Sequence, residues 1–309
     1  MKFLLKTEAS REIGFGHLKR LEVLAKELQK RGHEVNFVHF NSDVYMPNIK
    51  GEESFLKLCE TNDVLIIDEP NFPKNYYSCL KIIKTIGIDE LSPLRQYLDV
   101  HICSTLLGLE GKIIKNKKSI EYIGVKYFIF GRGIKYSNKN NRILVSFGGS
   151  DPRNITEKFL ENFELDNLDV VIGPGFSKKR VKTLKEKYQN ISFLENIKQL
   201  SQKISPYKFI ACSGGVTAYE ALKSKCIPLI IAQNQEQEDI AKNLFAKGLG
   251  YYFGKSNQFD KKALLSILKE GIDRKVTDSM FKNFEKLNGE DSTTLVVDLL
   301  IKHGQSKKI

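Results

Sequence analysis

The strongest constraint on the fold of this chain is a regular alternation between short apolar segments and amphipathic helical patterns. Apolar runs such as Val64–Asp68 have the length of buried strands. In His17–Arg31 the leucines recur at three- and four-residue spacing, and Gly32 stands where a helix would end. Strands that alternate with helices are typical of parallel sheets built from βαβ units, with helices on both faces.

The same patterns predict individual elements along the whole chain. Strands are predicted at Lys2–Lys6, Glu34–Val38, Val64–Asp68, Ile86–Asp89, Val100–Cys103, Ile143–Ser146, Asp169–Ile172, Ile191–Leu194, Phe209–Cys212, Pro228–Ile231 and Tyr251–Phe253. Helices are predicted at His17–Arg31, Ile155–Phe163, Lys178–Tyr188, Val216–Ser224, Glu236–Lys247, Lys261–Glu270 and Ser292–Lys302.

The alternation occurs twice, and the polar stretch Lys135–Asn141 (KYSNKNN) lies between the two series. It has few apolar residues and is interpreted as an interdomain linker. The expected fold class is α/β, with two Rossmann-like, doubly wound domains that face each other across a cleft. The predicted domains are residues 1–134 and 142–290, and residues 291–309 form a C-terminal helix that can pack back on the first domain.

Composition excludes several classes of protein. The apolar runs are far shorter than the roughly 20 residues of a membrane-spanning helix, so no integral membrane segment is expected. The N-terminal MKFLLKTEAS lacks the apolar core of a signal peptide, so the expected location is cytoplasmic. The 49 basic and 37 acidic residues give a net charge of +12, but this excess is spread along the chain. Because nucleic-acid binders concentrate their charge, we expect some attraction for anionic ligands and no nucleic-acid partner.

The five cysteines indicate neither a disulfide framework nor a zinc site. Their number is odd, and no two of them are spaced as CxxC. They are predicted to be reduced and mostly buried, as small apolar side chains.

In open α/β sheets, ligands bind at loops that follow the carboxyl ends of the strands. The first such loop, Ile13–His17 (IGFGH), places Gly14 and Gly16 before a helix, where backbone can approach a ligand and helix N–H groups can hold an anion. Lys19 replaces the third glycine of the dinucleotide fingerprint, and the chain has no GxxxxGK motif. A nicotinamide cofactor and a P-loop are therefore not expected.

His17 opens the first predicted helix, where the positive end of the helix dipole disfavours its charged form. An imidazole that is mostly neutral at pH 7 can accept a proton, which makes His17 the candidate catalytic base. The alternative is a histidine that caps the helix or lies on the surface.

The second loop, Ser146–Pro152 (SFGGSDP), follows the first strand of the second half. Its glycine pair, Gly148-Gly149, indicates close approach of a ligand, whereas Ser150 or Asp151 can instead cap the next helix. The third loop (IGPGF, residues 172–176) is interpreted as a turn.

The fourth loop, Ser213–Glu220 (SGGVTAYE), is the most specific of the four. Its glycine pair, Gly214-Gly215, and a helix with Thr217 at its start form a cradle of backbone N–H groups for an anion. Glu220, about one turn further, can accept hydrogen bonds from ribose hydroxyls; otherwise it is a solvent-facing helix residue.

Two amides, Asn234 and Gln235, open a later helix. They can bind hydroxyl or acetamido groups of a sugar, or they simply lie in an exposed loop. The sequence has no Asp-x-Asp motif and no Gly-x-Ser-x-Gly nucleophile elbow. No metal and no other cofactor is therefore implied, and helix N-termini and backbone amides would stabilise a leaving diphosphate.

Together these segments resemble the nucleotide-sugar enzymes with the GT-B fold. The closer resemblance is to the UDP-2,4-diacetamido-2,4,6-trideoxy-β-L-altropyranose hydrolases of pseudaminic acid biosynthesis and to their spore-coat polysaccharide relatives. The similar segments are IGFGHLKR (13–20), LVSFGGSDP (144–152), VIGPG (171–175), SGGVTAYE (213–220) and NQ (234–235).

The resemblance implies metal-independent hydrolysis of a UDP-linked diamino-trideoxy sugar at its anomeric C–O bond, with inversion and release of UDP. It implies that His17 is the base. The substrate-binding residues that it implies are Gly14, Gly16, Arg20, Asp68, Gly148, Gly149, Ser150, Gly214, Gly215, Thr217, Glu220, Asn234 and Gln235.

The chain departs from the pattern of that family at two places. Lys6 and Glu8 stand where the family has Arg-x-Asp, and Asp68-Glu69-Pro70 stands where it has Asp-His-Tyr. Asp68 can be a polar partner of the substrate or of His17, or it can cap the next segment. Two further functions stay open: a GT-B glycosyltransferase with a UDP-sugar donor, in which an acceptor hydroxyl replaces water, and a non-catalytic nucleotide-sugar-binding protein.

Overall fold

The computed structural model describes residues 1–10, 15–39, 49, 51–69, 72–90, 92–105, 119–131, 133–134, 136–163, 165–197, 199–289 and 291–306. The described chain divides into two compact units. Unit 1 contains residues 1–105, 119–130 and 288–306, and unit 2 contains residues 131–287.

Unit 1 is built around a parallel sheet. Its strands are β1 Lys2–Thr7, β2 Glu34–Val38, β3 Val64–Asp68, β4 Lys84–Ile88, β5 Val100–Cys103 and β6 Ile120–Ile123. Its helices are α1 Gly16–Lys30, α2 Glu52–Thr61 and α9 Ser292–Gly304, with short 3-10 helices at Lys74–Tyr76, Cys79–Lys81, Pro93–Tyr97 and Val125–Tyr127. The strand order is β2-β1-β3-β4-β5-β6.

Unit 2 contains a second sheet. Its strands are β7 Asn140–Ser146, β8 Leu168–Val171, β9 Ser192–Leu194, β10 Tyr207–Cys212, β11 Ile227–Ala232, β12 Tyr251–Lys255 and β13 Gln258–Phe259. Its helices are α3 Ile155–Asn162, α4 Lys178–Lys187, α5 Val216–Lys223, α6 Gln235–Ala246, α7 Lys261–Glu270 and α8 Arg274–Asn288, with a 3-10 helix at Leu200–Gln202. The strand order is β13-β12-β11-β10-β7-β8-β9, and β13 alone of these strands pairs antiparallel.

The core of unit 1 lies on both faces of its sheet, which explains why its central strands are continuously apolar. On one face, the leucines of α1 that were predicted to face the core (Leu21, Leu24, Leu28) pack against strand residues such as Phe3 and Ile66. Residues of α9 join the same cluster. The other face is covered by α2 and by the first three of the 3-10 helices.

The predicted strands and helices are all present, with ends that differ by a few residues. The patterns did not predict β6 and β13, which are short strands at sheet edges. They also missed α2 and α8, although Val276, Met280, Phe284 and Leu287 recur at helical spacing in α8. In the stretch interpreted as a linker, β7 already begins at Asn140. There Lys139 Nζ also donates hydrogen bonds to the carbonyls of Ser205 and Ser224, so its polar character serves contacts within unit 2. All five cysteines are free and buried, as predicted.

Candidate functional site

The topology of unit 1 marks one place on its sheet where a ligand can bind. From β1 the chain moves to β2 on one side, and it then returns to form β3 on the other side of β1. The connections that follow β1 and β3 therefore run in opposite directions and leave a crevice at the carboxyl ends of these strands. Buried polar side chains are concentrated at these ends, at Lys6, Asp68 and Glu69.

His17 lies in the first turn of α1 and contacts the carboxylate that ends β3. Its Nδ1 is 2.7 Å from Oδ1 of Asp68. The Asp68 side chain is fully buried, whereas the His17 side chain is 30% exposed. Burial by itself raises the pKa of Asp68, but Arg20 and His17 together hold that pKa below its ordinary value. An ionised carboxylate only accepts hydrogen bonds, so Nδ1 of His17 donates the proton and the lone pair of the neutral ring is on Nε2.

Arg20, one turn further along α1, holds two carboxylates together. Its Nε and Nη2 donate to Asp68 at 2.7 and 2.6 Å, and its Nη1 donates to Asp89, which follows β4. Burial lowers the pKa of Arg20, but the two carboxylates outweigh this effect and raise it. Arg20 is only 6% exposed, so its guanidinium belongs to an internal ion-pair cluster.

Lys6 contacts both Glu8 and Glu69, and all three differ from the sequence pattern of the pseudaminic acid hydrolases. Lys6 Nζ donates to Oε1 of Glu8 at 2.6 Å and also to Oε2 of Glu69. Burial raises the pKa of Glu69 to about 7, although Lys6 opposes this shift. Oε1 of Glu69 is buried without a hydrogen-bond partner among the described residues. A second polar cluster therefore lies beside the His17–Asp68 pair, at the same end of the sheet.

Unit 2 has the same kind of crevice, between β7 and β10. Successive strands run from β7 through β8 to β9 on one side, and β10 then pairs with the other edge of β7. This is the strand order of dinucleotide-binding Rossmann folds, extended by β13. The loop with Gly148 and Gly149 follows β7, and the loop with Gly214 and Gly215 follows β10. The structure thus brings the second and fourth predicted loops to one crevice.

The loop after β7 is fixed by its neighbours. Gly148 has a φ of +95°, which favours glycine. A Cβ on Gly173 would lie 2.2 Å from the carbonyl oxygen of Gly149, so the third predicted loop packs directly on the second. Asp151 accepts hydrogen bonds from the first backbone N–H groups of α3, so Asp151 caps that helix and Ser150 is left for another role.

The glycine pair after β10 has two different surroundings. A Cβ on Gly214 would lie 2.2 Å from the carbonyl oxygen of Gln237, in the first turn of α6, whereas a Cβ on Gly215 would meet no described residue within 4 Å. Gly215 precedes α5, which has no side-chain cap and no acidic residue in its first turn, where Thr217 lies. The backbone N–H groups at this helix start are therefore suited to an anion, and Gly214 serves helix packing.

Glu220 is a half-buried carboxyl group on α5. Burial raises its pKa to about 7, and no described residue donates a hydrogen bond to it. A carboxylate in this situation can accept hydrogen bonds from hydroxyl groups of a ligand.

The side-chain amides of Asn234 and Gln235, after β11, form hydrogen bonds within the protein. Asn234 caps α6 through a 2.9 Å hydrogen bond from the Gln237 N–H group. Gln235 is exposed and contacts Asp239 and Lys255. The residue before them, Gln233, donates to the Phe147 carbonyl at 2.6 Å and to Ser213 Oγ at 2.8 Å. These hydrogen bonds connect the loops after β7, β10 and β11.

The structure thus brings His17, Arg20 and Asp68 into one cluster of unit 1, and Gly16 begins the helix that carries two of them. Gly14 lies outside the described residues. Sequence reasoning missed Asp89 and Gln233. Asp89 lies at the carboxyl end of a predicted strand, as Asp68 does, and that signal could have found it.

No protein-family model matches this chain. An uncharacterized protein, MJ1062, of Methanocaldococcus jannaschii is 30% identical over 280 residues, which include 77% of this chain. The chain spans only 57% of the length of that relative.

Solved structures share the fold over nearly the whole chain. MurG of Acinetobacter baumannii is 15% identical, with a TM-score of 0.66 over 98% of this chain and 100% of that protein. UGT89C1 of Arabidopsis thaliana, in complex with UDP, is 11% identical, with a TM-score of 0.65 over 98% and 99% of the two chains. The glycosyltransferase VinC, in complex with DTDP, is 12% identical, with a TM-score of 0.61 over 99% and 100%. The chain therefore has the GT-B fold, as predicted.

These comparisons correct the predicted activity. The hydrolase prediction is wrong, because the solved structures that match this chain include a glycosyltransferase of kitacinnamycin and the rhamnosyltransferase SpnG. The motifs led to it because glycine loops indicate nucleotide binding, which both reactions require, and do not show whether water or an acceptor attacks. The resemblance to the pseudaminic acid hydrolases gains no support from these structures.

Among the described residues, no helix is both long and apolar enough to cross a membrane. The cytoplasmic location and the predicted domain boundaries stay predictions.

Proposed function

We propose that the protein is a glycosyltransferase that transfers a sugar from a UDP-sugar donor to an acceptor hydroxyl group. The observation that carries this proposal is the His17–Asp68 pair, in which a buried carboxylate orients a partly exposed imidazole at the crevice of a doubly wound sheet. Structures with this fold include a plant protein in complex with UDP-L-rhamnose and others in complex with UDP or thymidine diphosphate.

In this mechanism, Nε2 of His17 accepts the proton of the acceptor hydroxyl. The acceptor oxygen forms a bond to the anomeric carbon, the bond from that carbon to the diphosphate oxygen breaks, and UDP leaves with the electron pair. Attack opposite the leaving group inverts the configuration. Asp68 stabilises the imidazolium that forms, and general base catalysis of this kind contributes about 10²- to 10⁴-fold in rate.

Unit 2 is proposed to hold the nucleotide. The backbone N–H groups at Gly215 and Thr217, at the start of α5, would stabilise the charge that develops on the leaving diphosphate. The Gly148–Ser150 loop would lie against the same group, and Glu220 would bind the ribose hydroxyls. Asn234 and Gln235 are proposed to lie near the sugar or the diphosphate.

The experiment measures UDP release from UDP-glucose and UDP-N-acetylglucosamine, with and without a panel of sugar and lipid-linked acceptors, and UDP binding by calorimetry. Release that requires an acceptor supports the proposal. Release that proceeds equally without an acceptor contradicts it, and so does tight binding of UDP without turnover on any member of the panel.

The role of His17 is tested by His17→Ala beside the matched variant His33→Ala. His33 follows the other end of α1, where it contacts the N-terminus. We expect His17→Ala to lower kcat by about 10²- to 10⁴-fold with unchanged UDP affinity, and His33→Ala to keep its kcat. Near-full turnover of His17→Ala would refute its assignment as the base.

A further inference from the structure

Asp89 has an unusual backbone conformation, and its carboxylate accepts several hydrogen bonds. It follows β4 with a φ of +50°, a left-handed conformation that few residues other than glycine, asparagine and aspartate adopt. Its Oδ1 accepts hydrogen bonds from the N–H groups of Ser104, at 2.6 Å, and Thr105, at 3.3 Å, and Ser104 Oγ lies 2.9 Å from its Oδ2. The loop after β5 thus holds the carboxylate against α1.

A continuous chain of contacts joins Asp89 to His17. Asp89 accepts a hydrogen bond from Nη1 of Arg20, whose other donors contact Asp68. Oδ1 of Asp68 is shared between Nη2 of Arg20, at 2.6 Å, and Nδ1 of His17, at 2.7 Å. Arg20 and His17 therefore compete for the same carboxylate oxygen, and Asp89 attracts Arg20 from the opposite side.

We propose that Asp89 is a positioning residue that draws the charge of Arg20 away from Asp68 and thereby sets how readily His17 accepts a proton. This inference rests on the proposed function of His17 as the base. The charges of the described residues support it: the Arg20 guanidinium offsets one of the two carboxylates that it contacts, so the other balances the imidazolium that forms during the reaction. Without the charge of Asp89, the same cluster would become net positive when His17 is protonated.

The other titratable and charged groups around this cluster bear on any pH measurement. Among the described residues they include Lys6 and Glu8 at the end of β1, Glu69 after β3, Glu90 after β4, Arg95 in the 3-10 helix before β5, and His101 and Cys103 on β5. Burial lowers the pKa of His101 to about 4 and raises the pKa of Cys103, so neither changes charge near pH 7. Burial raises the pKa of Glu69 to about 7, so Glu69→Gln is needed as a control.

The test compares Asp89→Asn with Asp99→Asn. Asparagine tolerates the left-handed backbone, so the first variant removes charge with little strain. Asp99 is also a buried carboxylate of unit 1, but it binds the N–H and Oγ–H groups of Thr85 instead of Arg20. His17 is titrated by NMR of its ring protons without substrate, with His17→Ala to assign the signal, and kcat/KM is measured against pH.

We expect Asp89→Asn to lower the titration midpoint of His17 and the acid limb of kcat/KM by about 0.5–1.5 pH units. We expect kcat at the alkaline plateau to fall about 3- to 10-fold, because the base is weaker. Asp99→Asn should move neither limb, and Glu69→Gln should leave the His17 shift in place. An unchanged midpoint in Asp89→Asn, or an equal shift in Asp99→Asn, would overturn the proposal.

A second variant keeps the test decisive if Asp89→Asn does not fold. Ser104→Ala removes hydroxyl hydrogen bonds to both Asp89 oxygens, so the carboxylate attracts Arg20 more strongly and the His17 midpoint should rise slightly. A fall would overturn the proposal. Because the NMR titration needs no turnover, its result is independent of the transferase assays. If the protein had no transferase activity but showed the expected His17 midpoints, the proposed function would be refuted and the effect of Asp89 on His17 would still be supported.

Discussion

The two glycines after β10 give the sharpest prediction about unit 2, because their surroundings differ while their sequence positions are adjacent. In Gly214→Ala the new Cβ would lie 2.2 Å from the Gln237 carbonyl oxygen and 3.0 Å from its carbon. These atoms are backbone in the first turn of α6, so the whole helix start must move by more than 1 Å to reach ordinary contact distance.

Moving the start of α6 lowers the stability of the folded state. Overpacking of this kind typically costs about 1–3 kcal/mol. It also strains the 3.0 Å hydrogen bond from the Gln233 N–H group to Oε1 of Gln237. We therefore expect Gly214→Ala to lower the free energy of unfolding by about 2 kcal/mol or more.

Gly215→Ala is the matched control. Its Cβ would meet no atom of the described residues within 4 Å, and its backbone is extended, with φ −114° and ψ −153°. Alanine is a poorer helix N-cap than glycine, but it also reduces the entropy of the unfolded chain, so the two effects nearly cancel. We expect a change in stability within about 0.5 kcal/mol, together with weaker UDP binding if Gly215 approaches the diphosphate.

Urea unfolding followed by far-UV circular dichroism measures the stabilities, since the chain has no tryptophan. Hydrogen exchange of peptides from α5 and α6 locates any loss in unit 2. If Gly214→Ala were as stable as the unmodified protein, or if Gly215→Ala were the less stable variant, the close approach of α6 to this loop would be refuted.

Two further predictions concern buried charge. Arg20→Ala leaves two buried carboxylates without their shared cation, so it should lower the free energy of unfolding in urea by about 3–5 kcal/mol. The control variant Arg274→Ala removes an exposed ion pair and should lower it by less than about 0.5 kcal/mol. Equal losses in the two variants would contradict the buried cluster around Arg20. For Glu220, the folded-state pKa of about 7 lies above its ordinary value of 4.5. Its protonation stabilises the folded state fully below about pH 4.5, and this contribution is lost as the pH rises through about 7. Glu220→Gln should therefore gain stability relative to the unmodified protein over that range, and a pH-independent difference would refute the raised pKa.

Much of the fold follows from local sequence patterns. The spacing of Leu21, Leu24 and Leu28 identifies the buried face of α1, and the continuous apolar run of β3 marks a central strand. The position of His17 at a helix start, after a strand and a glycine loop, made it a candidate base. The edge strand β6 was missed because it is only four residues long and partly exposed, which leaves a weak pattern in the sequence.

The sequence by itself determined the alternation of strands and helices, the two doubly wound sheets and the loops that end their strands, because these depend on periodicities within a few residues. Only the tertiary structure decided that His17 shares the Asp68 oxygen with Arg20 and that Lys6 and Glu69 form a second cluster. It also decided that Gly214 packs against α6, whereas a Cβ on Gly215 would contact none of the described residues. These pairings join residues that lie tens of positions apart, and they depend on which strands become neighbours and on distances of a few ångströms, which no local pattern encodes.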